Sequence, residues 1–194
     1  MATFSLQHTS PLRARFGEPA PAIRRSGLEI VEATVAAQLL LSGDLGAADV
    51  VYAVGRATGS SLPDQPNRKS GVDPYAVWLA PDTRLLVCES GDRHALHRDL
   101  AVALSGRFAA ASDVTDGLAM LDLRGERLPD LLAWACALDL DPRRFAADQS
   151  ARTLFADLPV LLYRHGGGVR LHVDRSVASH LWTWLDQAVT AVAP

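Results

Sequence analysis

The sequence contains little of what several large classes of protein require. Only two of its 194 residues are cysteine, and they lie far apart. This argues against a disulfide framework and favours a reducing compartment, so we expect a cytoplasmic protein. No run of about 18 apolar residues occurs, so no membrane-spanning segment is predicted. The net charge of −3 gives no general attraction to nucleic acid or to an anionic membrane surface.

Motifs that carry nucleotide chemistry are absent as well. No Gly-x-x-x-x-Gly-Lys-Ser/Thr phosphate loop occurs, and no Gly-x-Gly-x-x-Gly follows a predicted strand. Residues 55–61 are rich in glycine and serine, and their backbone N–H groups could surround an anion. Nothing after them predicts the helix that such a site uses, so a loop is favoured.

Candidates for catalysis or metal binding are few and isolated. His94 and His97 lie three residues apart on a predicted helix, but no further His or Cys completes a ligand set, so a polar helix flank is favoured. Asp113 and Asp116 flank a predicted turn, where an aspartate commonly bonds local backbone. We therefore predict no catalytic, cofactor-binding or metal-binding residue in this chain.

What is present is a succession of strand and helix patterns. Alternating or short apolar runs predict strands at residues 28–35, 49–54, 76–79, 85–88, 151–155, 158–163 and 169–173. Apolar residues at helical spacing predict helices at about residues 92–104, 128–139 and 176–192. This order is typical of an α+β fold, with helices packed on one face of mostly antiparallel sheets.

The stretch from residue 109 to residue 145 organises the rest. Asp116-Gly117 is a typical turn signal between two strand-like runs, which predicts a hairpin. Pro129 lies in the first turn of the helix that follows, where its missing N–H costs nothing. We therefore expect a hairpin followed by an amphipathic helix.

Two segments bear on domain organisation. Residues 1–27 are rich in arginine and proline and lack the apolar stretch of a secretory signal, which predicts a flexible basic arm that is disordered or becomes ordered on a partner. Residues 28–194 would form the domain. The long loop predicted at residues 55–75 is a possible sub-boundary, because loops of this length are usually functional or disordered.

The last predicted helix has a wide apolar arc. The stripe expected to face the core consists of Val177, Leu181, Trp184 and Ala188. Trp182 and Val189 lie roughly 100–140° around the helix from that stripe. Because tryptophan is favoured at the centres of interfaces, we predict that Trp182 and Val189 contact a partner. The alternative is that the early chain or the tail covers Trp182 within the same subunit.

An ordered set of short motifs resembles one known family. The motifs are Val77-Trp-Leu-Ala-Pro-Asp82, Asp113-Val-Thr-Asp-Gly117, Leu131-Leu-Ala133, Leu138-Asp-Leu-Asp-Pro-Arg-Arg-Phe145, Pro159-Val-Leu-Leu-Tyr-Arg164, Leu171-His-Val-Asp-Arg-Ser176 and Leu181-Trp-Thr-Trp-Leu185. Together they resemble the gamma subunit of heterotetrameric sarcosine oxidase over roughly residues 28–191. Ala80 stands where the family usually has glycine. No single motif is chemically specific, but their order is.

The resemblance implies a fold and a role. The fold would be the folate-binding fold shared with the glycine-cleavage aminomethyltransferase. The complex would oxidatively demethylate sarcosine to glycine and pass the one-carbon unit to tetrahydrofolate. It would hold FAD, FMN, NAD and tetrahydrofolate, with zinc in another subunit. This chain would be a non-catalytic assembly subunit whose partners are the alpha, beta and delta subunits.

Two other functions are compatible with the sequence. One is a subunit of a related N-methyl amino-acid demethylase such as N-methylglutamate dehydrogenase. The other is a free-standing folate-binding, aminomethyltransferase-like protein. A folate tail carries carboxylates, which arginine would bind; the candidates are Arg124, Arg127, Arg143, Arg144 and Arg152. The sequence does not show that these side chains converge, and it does not identify the amine that is oxidised.

Overall fold

Two antiparallel sheets form the centre of the protein in the computed structural model, which describes residues 10–17, 22–25 and 27–192. The six-stranded sheet has the order β1-β2-β8-β11-β10-β9, and the five-stranded sheet has the order β4-β5-β6-β3-β7. The strands are β1 Ala22–Arg25, β2 Leu28–Glu32, β3 Ala37–Gly43, β4 Lys69–Gly71, β5 Tyr75–Ala80, β6 Thr83–Cys88, β7 Ala109–Asp113, β8 Leu118–Arg124, β9 Ser150–Phe155, β10 Leu158–His165 and β11 Gly168–Asp174.

Helices cover the outer face of each sheet. They are α1 Pro11–Phe16, α2 Ala48–Thr58, α3 Arg93–Ala103, α4 Leu128–Ala135 and α5 Ala178–Val192, which follows a 3-10 turn at Arg175–Val177. Side chains of α1, α4 and α5 share one apolar core with the six-stranded sheet. Those of α2 and α3 share a second core with the five-stranded sheet. A third, smaller cluster joins the inner faces of the two sheets. The predicted α+β class with mostly antiparallel sheets is therefore confirmed.

Several local features show why these elements begin and turn where they do. The carboxylate of Asp92 caps α3 by accepting hydrogen bonds from the backbone N–H groups of His94 and Ala95. Pro129 occupies the first turn of α4. Gly166 and Gly167 have positive φ angles of 55° and 80°, which fits a tight hairpin turn between β10 and β11.

The hairpin predicted around Asp116-Gly117 is wrong. β7 pairs with β3 in the five-stranded sheet, whereas β8 pairs with β2 and β11 in the other sheet. The turn between them therefore crosses from one sheet to the other. Thr115 fixes this crossing, because its hydroxyl oxygen accepts a hydrogen bond from the backbone N–H of Gln38 at 2.8 Å. The turn residues specify a reversal of the chain, but long-range pairing decides which strands meet.

The strand predicted at residues 49–54 is also wrong, because this segment belongs to helix α2. Val50, Ala53 and Val54 are buried at the i, i+3, i+4 spacing of a helix, while Tyr52 is 69% exposed.

The loop predicted at residues 55–75 is correspondingly shorter and contains β4. It does not separate two units, because α2 before it and β5 after it belong to the same apolar core. The chain instead leaves the six-stranded sheet after β2 and returns to it at β8, so residues 37–113 form an inserted unit.

The prediction of a flexible arm at residues 1–27 is wrong for the part that the structure describes. Leu12 on α1 is fully buried in the core that contains α5. Residues 22–25 form β1, which pairs with β2 in the register Ala22 to Val31. Apolar burial and strand pairing thus attach this segment to the domain. Residues 1–9, 18–21 and 26 lie outside the described residues.

Candidate functional site

The two residues predicted to contact a partner lie inside the subunit's own core. Trp182 is 5% exposed and Val189 is fully buried. Both belong to the same cluster as Leu12 on α1 and Ile23 on β1, and these two elements lie against α5. The prediction that Trp182 and Val189 form a partner surface is therefore wrong, because the early part of the chain covers them. The alternative, cover from within the same subunit, holds.

A different pair of tryptophans reaches the surface. Trp134 on α4 is 57% exposed, and its ring lies 5.5 Å from that of Trp184 on α5 at an interplanar angle of 34°. Trp184 also receives an edge contact from the ring of Phe155, at 6.0 Å and 75°. Helical spacing places Trp184 on the inward stripe and no motif singles out Trp134, so the sequence does not predict this pair. We call Trp134 and Trp184 the tryptophan pair.

A network of polar side chains lies between the two sheets. At one end Arg170 on β11 forms a two-pronged ion pair with Asp122 on β8, with Nε to Oδ1 at 2.6 Å and Nη2 to Oδ2 at 2.8 Å. Its Nη1 donates to Glu89 at 2.6 Å and to the hydroxyl oxygen of Tyr75 at 2.8 Å. The guanidinium is almost completely buried. Burial opposes its charge, but the hydrogen bonds and charge of Asp122 outweigh that effect and raise the pKa of Arg170.

From Arg170 the hydrogen bonds continue in one direction. The hydroxyl oxygens of Tyr75 and Tyr163 are 2.8 Å apart, and that of Tyr163 lies 2.6 Å from His172 Nε2. His172 Nδ1 lies 2.7 Å from Gln38 Oε1, and Gln38 Nε2 donates to the carbonyl of Leu118 at 3.3 Å.

Arginine can only donate, so Tyr75 accepts from it and donates to Tyr163, which donates to His172 Nε2. At the other end, Gln38 presents its oxygen to the imidazole, so Nδ1 of His172 carries the proton. We call these residues the inter-sheet network; its members are Gln38, Tyr75, Glu89, Asp122, Tyr163, Arg170 and His172.

The network leaves His172 without a free lone pair. Burial, together with the nearby positive charge of Arg170, lowers the pKa of His172 to about 3. The imidazole is therefore neutral near pH 7, and its one acceptor nitrogen is already used by Tyr163. Burial raises the pKa of the Tyr163 hydroxyl well above its usual range. A general base needs a free acceptor within reach of a substrate proton, and this histidine has none.

A cleft of about 1000 Å³ opens between the sheets next to His172. Its walls are mainly apolar and include Leu40 and Leu79 from the five-stranded sheet and Leu161 from the six-stranded sheet. Of the five arginines considered for a folate tail, only Arg152 lines this cleft. The other four lie within 4 Å of local carboxylates, at Glu29, Asp122, Asp130, Asp139 and Asp141. The five arginines do not converge.

The remaining candidates from the sequence have structural partners. Arg93 bridges Asp113 and Asp116, and Asp113 also accepts hydrogen bonds from the backbone and hydroxyl of Thr115. His97 Nε2 lies 3.0 Å from the carbonyl oxygen of Ala111. In the described part of the chain, no group of three or more His, Cys, Asp or Glu side chains could hold a metal ion. Within the same part, no helix is long and apolar enough to cross a membrane.

Comparisons with known proteins identify the family. The model of the sarcosine oxidase, gamma subunit family matches residues 42–191. The chain is 31% identical over 168 residues to the sarcosine oxidase subunit gamma of Arthrobacter sp., covering 85% of this chain and 80% of that one. It is 33% identical over 144 residues to the same subunit from Corynebacterium sp. strain P-1, covering 73% and 70%.

Solved structures agree with this result. A chain of the heterotetrameric sarcosine oxidase from Corynebacterium sp. U-96, in complex with pyrrole 2-carboxylate, superposes with a TM-score of 0.82 at 28% identity and covers 96% of each chain. The glycine cleavage system aminomethyltransferase T from Bartonella henselae superposes with a TM-score of 0.59 at 15% identity, covering 82% of this chain and 45% of that one. The second similarity shows a shared fold. The chain belongs to the sarcosine oxidase gamma subunit family.

Proposed function

We propose that this chain is a non-catalytic assembly subunit of a heterotetrameric sarcosine oxidase. The complex would demethylate sarcosine oxidatively to glycine and transfer the one-carbon unit to tetrahydrofolate. The alpha, beta and delta subunits would be its partners. FAD, FMN, NAD, tetrahydrofolate and a zinc ion would be held by those other subunits, and the complex would be cytoplasmic, in keeping with the two free buried thiols.

The observation that carries this proposal is the closed state of the inter-sheet network. Tyr163, His172 and Arg170 are residue types that take part in catalysis in many enzymes. Here each of them forms its hydrogen bonds with other members of the network. A catalytic group must present a donor, an acceptor or a charge to its substrate. The network instead holds the two sheets together, because its members come from both of them.

The tryptophan pair supports the assembly role. Trp134 leaves more than half of its surface uncovered beside Trp184, and Leu138, just after α4, is also exposed. Tryptophan is enriched in the centres of interfaces, where it fills pockets of the partner. We assign this surface to contact with a partner subunit.

Reconstitution of the complex tests the non-catalytic role. Tyr163→Phe removes the hydroxyl at the centre of the network while keeping the ring. Once assembled, the complex with this variant should turn over sarcosine at the wild-type rate within about twofold, whereas loss of a positioned proton donor costs about 10²-fold or more. A loss of that size in a fully assembled, flavin-loaded complex would show that the chain takes part in the chemistry.

Co-purification tests the assembly surface. Trp134→Ala should weaken recovery of the tagged chain with its partners, since truncation of an interface anchor commonly costs about 2 kcal/mol or more of binding free energy. Tyr52→Ala is the matched control, because Tyr52 is an exposed aromatic residue on α2, on the other sheet. If both variants and the wild type are recovered equally with the partner subunits, this surface does not contact a partner.

A further inference from the structure

A small basic pocket lies at the tip of the β10–β11 hairpin, away from the inter-sheet cleft. It measures about 500 Å³ and is lined by Lys69 from β4, Arg164 and His165 from β10, and the turn glycines. We call it the hairpin pocket. Lys69 is the only lysine among the 194 residues, beside 18 arginines.

Lys69 carries a charge that no carboxylate in the described part of the chain neutralises within 4 Å. Its Nζ lies over the rings of Tyr75 and Tyr163, at 5.2 and 5.4 Å, and donates weakly to the carbonyl of Arg164 at 3.4 Å. Of the two carboxylates whose charge acts on Lys69, Glu89 binds Arg170 at 2.6 Å and Asp148 binds Arg68 at 2.9 Å. Burial and the charge of Arg170 lower the pKa of Lys69. An anion beside it would reverse that effect.

Arg164 is a second cation whose charge and hydrogen-bond donors are not fully paired. One of its terminal nitrogens donates to the carbonyl of Leu140, but its Nε is buried and has no hydrogen-bond acceptor. No carboxylate in the described residues forms an ion pair with it. A guanidinium with an unused donor is poorly satisfied, and a carboxylate or phosphate is the acceptor that best matches its geometry.

The shape of the pocket leaves room for such a group. Gly166 and Gly167 place only backbone at its rim, and a Cβ atom added to either would meet nothing within 4 Å. Phe145 and Pro142 contribute an apolar wall to the lining. Two under-neutralised cations beside open space and an apolar wall are typical of a site for a small organic anion.

We propose that the hairpin pocket binds the carboxylate or phosphate group of a small molecule from solution, with Lys69 and Arg164 as its cationic contacts. This goes beyond the assembly role and does not depend on it. The anion would neutralise the charge of Lys69 and accept hydrogen bonds from the pocket.

The single lysine makes a direct test possible. The full chain is reductively methylated with ¹³C-formaldehyde, which labels Lys69 and the N-terminal amine, and inorganic phosphate is titrated at constant ionic strength against chloride. We expect a saturable shift of the Lys69 resonance and no saturable shift of the N-terminal one. Arg164→Met should weaken the affinity about tenfold, which corresponds to about 1.4 kcal/mol. Arg143→Met, which removes an exposed cation paired with Asp141, should leave it unchanged.

Three results would overturn the proposal. The first is a Lys69 resonance that does not saturate with phosphate. The second is equal affinity in the wild type and Arg164→Met, and if that variant fails to fold, Arg164→Gln takes its place. The third is binding to the free chain that disappears in the assembled complex, because the pocket would then be a contact for a partner. As a check without methylation, phosphate should raise the melting temperature of the wild type more than chloride does at equal ionic strength.

Discussion

The two faces of the six-stranded sheet both pack against other elements, yet they carry different kinds of side chain. Strand β11 shows this most clearly, because Val169, Leu171 and Val173 point toward the helices while Arg170 and His172 point toward the other sheet. The helix-side face is held by apolar burial, which is non-directional and scales with area. The inner face combines a small apolar cluster with hydrogen bonds that stabilise only while each group keeps its partner. Substitutions on the helix-side face should therefore lower the free energy of unfolding in proportion to the side-chain volume that they remove. Substitutions on the inner face should lower it whenever they remove one partner of a hydrogen bond.

The largest expected effect is on the inner face. Asp122→Ala leaves the buried Arg170 guanidinium without its two-pronged partner, and breaking a buried pair this way costs about 3–5 kcal/mol of unfolding free energy. Urea denaturation of the full chain measures this. The double variant with Arg170→Met should lose much less than the sum of the two single losses. Additive losses would show that the inner face does not depend on pairing.

The matching change on the helix side is Leu132→Ala on α4. Leu132 is buried in the helix-side core, so the substitution should cost about 2–5 kcal/mol, the usual range for removing a large aliphatic side chain. Leu154→Ala is the control, because Leu154 is largely exposed on the edge strand β9 and should change stability by less than about 0.5 kcal/mol. Similar losses for both leucines would contradict the assignment of the helix-side core.

The two faces should also differ in their response to acid. The pKa of His172 in the folded protein is about 3, below the ordinary value near 6.5. As the pH falls through 6.5 the unfolded chain therefore takes up a proton that the folded chain does not. This contribution to stability is complete above 6.5 and is lost as the pH approaches 3, with a loss of about 2 kcal/mol at pH 5. Denaturation at pH 7 and pH 5 measures it. His172→Gln should show a much smaller pH dependence, and an unchanged one would assign the effect to other groups.

The smallest effect on the free chain is expected at the tryptophan pair. Trp134→Ala removes a half-exposed ring and its contact with Trp184, which is worth about 0.5–1.5 kcal/mol. Trp182→Ala, which removes a buried ring on α5, the helix that also carries Trp184, should cost about 3–5 kcal/mol of unfolding free energy. Thermal melts of the two variants give the comparison. A Trp134→Ala loss as large as that of Trp182→Ala would place Trp134 in the fold rather than on a docking surface.

The sequence predicts local structure well where a single periodicity dominates. The strands at residues 158–163 and 169–173 and the helices at about residues 92–104 and 128–139 all follow from the spacing of apolar residues. The strand predicted at residues 169–173 is confirmed as part of β11, but a polar face such as that of Arg170 and His172 usually indicates solvent. Nothing local shows that a second sheet covers that face.

The site residues depend on contacts that sequence spacing cannot reveal. Trp182 lies outside the inward stripe on a helical wheel, and it is buried in the core where α1 and β1 pack against α5. Lys69 and Arg164 become neighbours because the start of β4 hydrogen-bonds to the start of β9, through Lys69 N–H to the carbonyl of Asp148 and Ser150 N–H to that of Asn67, and β9 pairs with β10. The ordered motifs, by contrast, predicted the family correctly, because they depend on sequence alone.

The insertion of residues 37–113 between β2 and β8 has a consequence for the order of folding. Glu29 pairs with Arg124 across the whole inserted unit, so this sheet has a high contact order and must close a long loop. The inserted unit is continuous in sequence and has its own helices and apolar core. During synthesis it can therefore close before β8 leaves the ribosome, bringing the ends of β2 and β8 together and reducing the entropy lost when they pair. The five-stranded unit would then act as a built-in folding template for the sheet into which it is inserted.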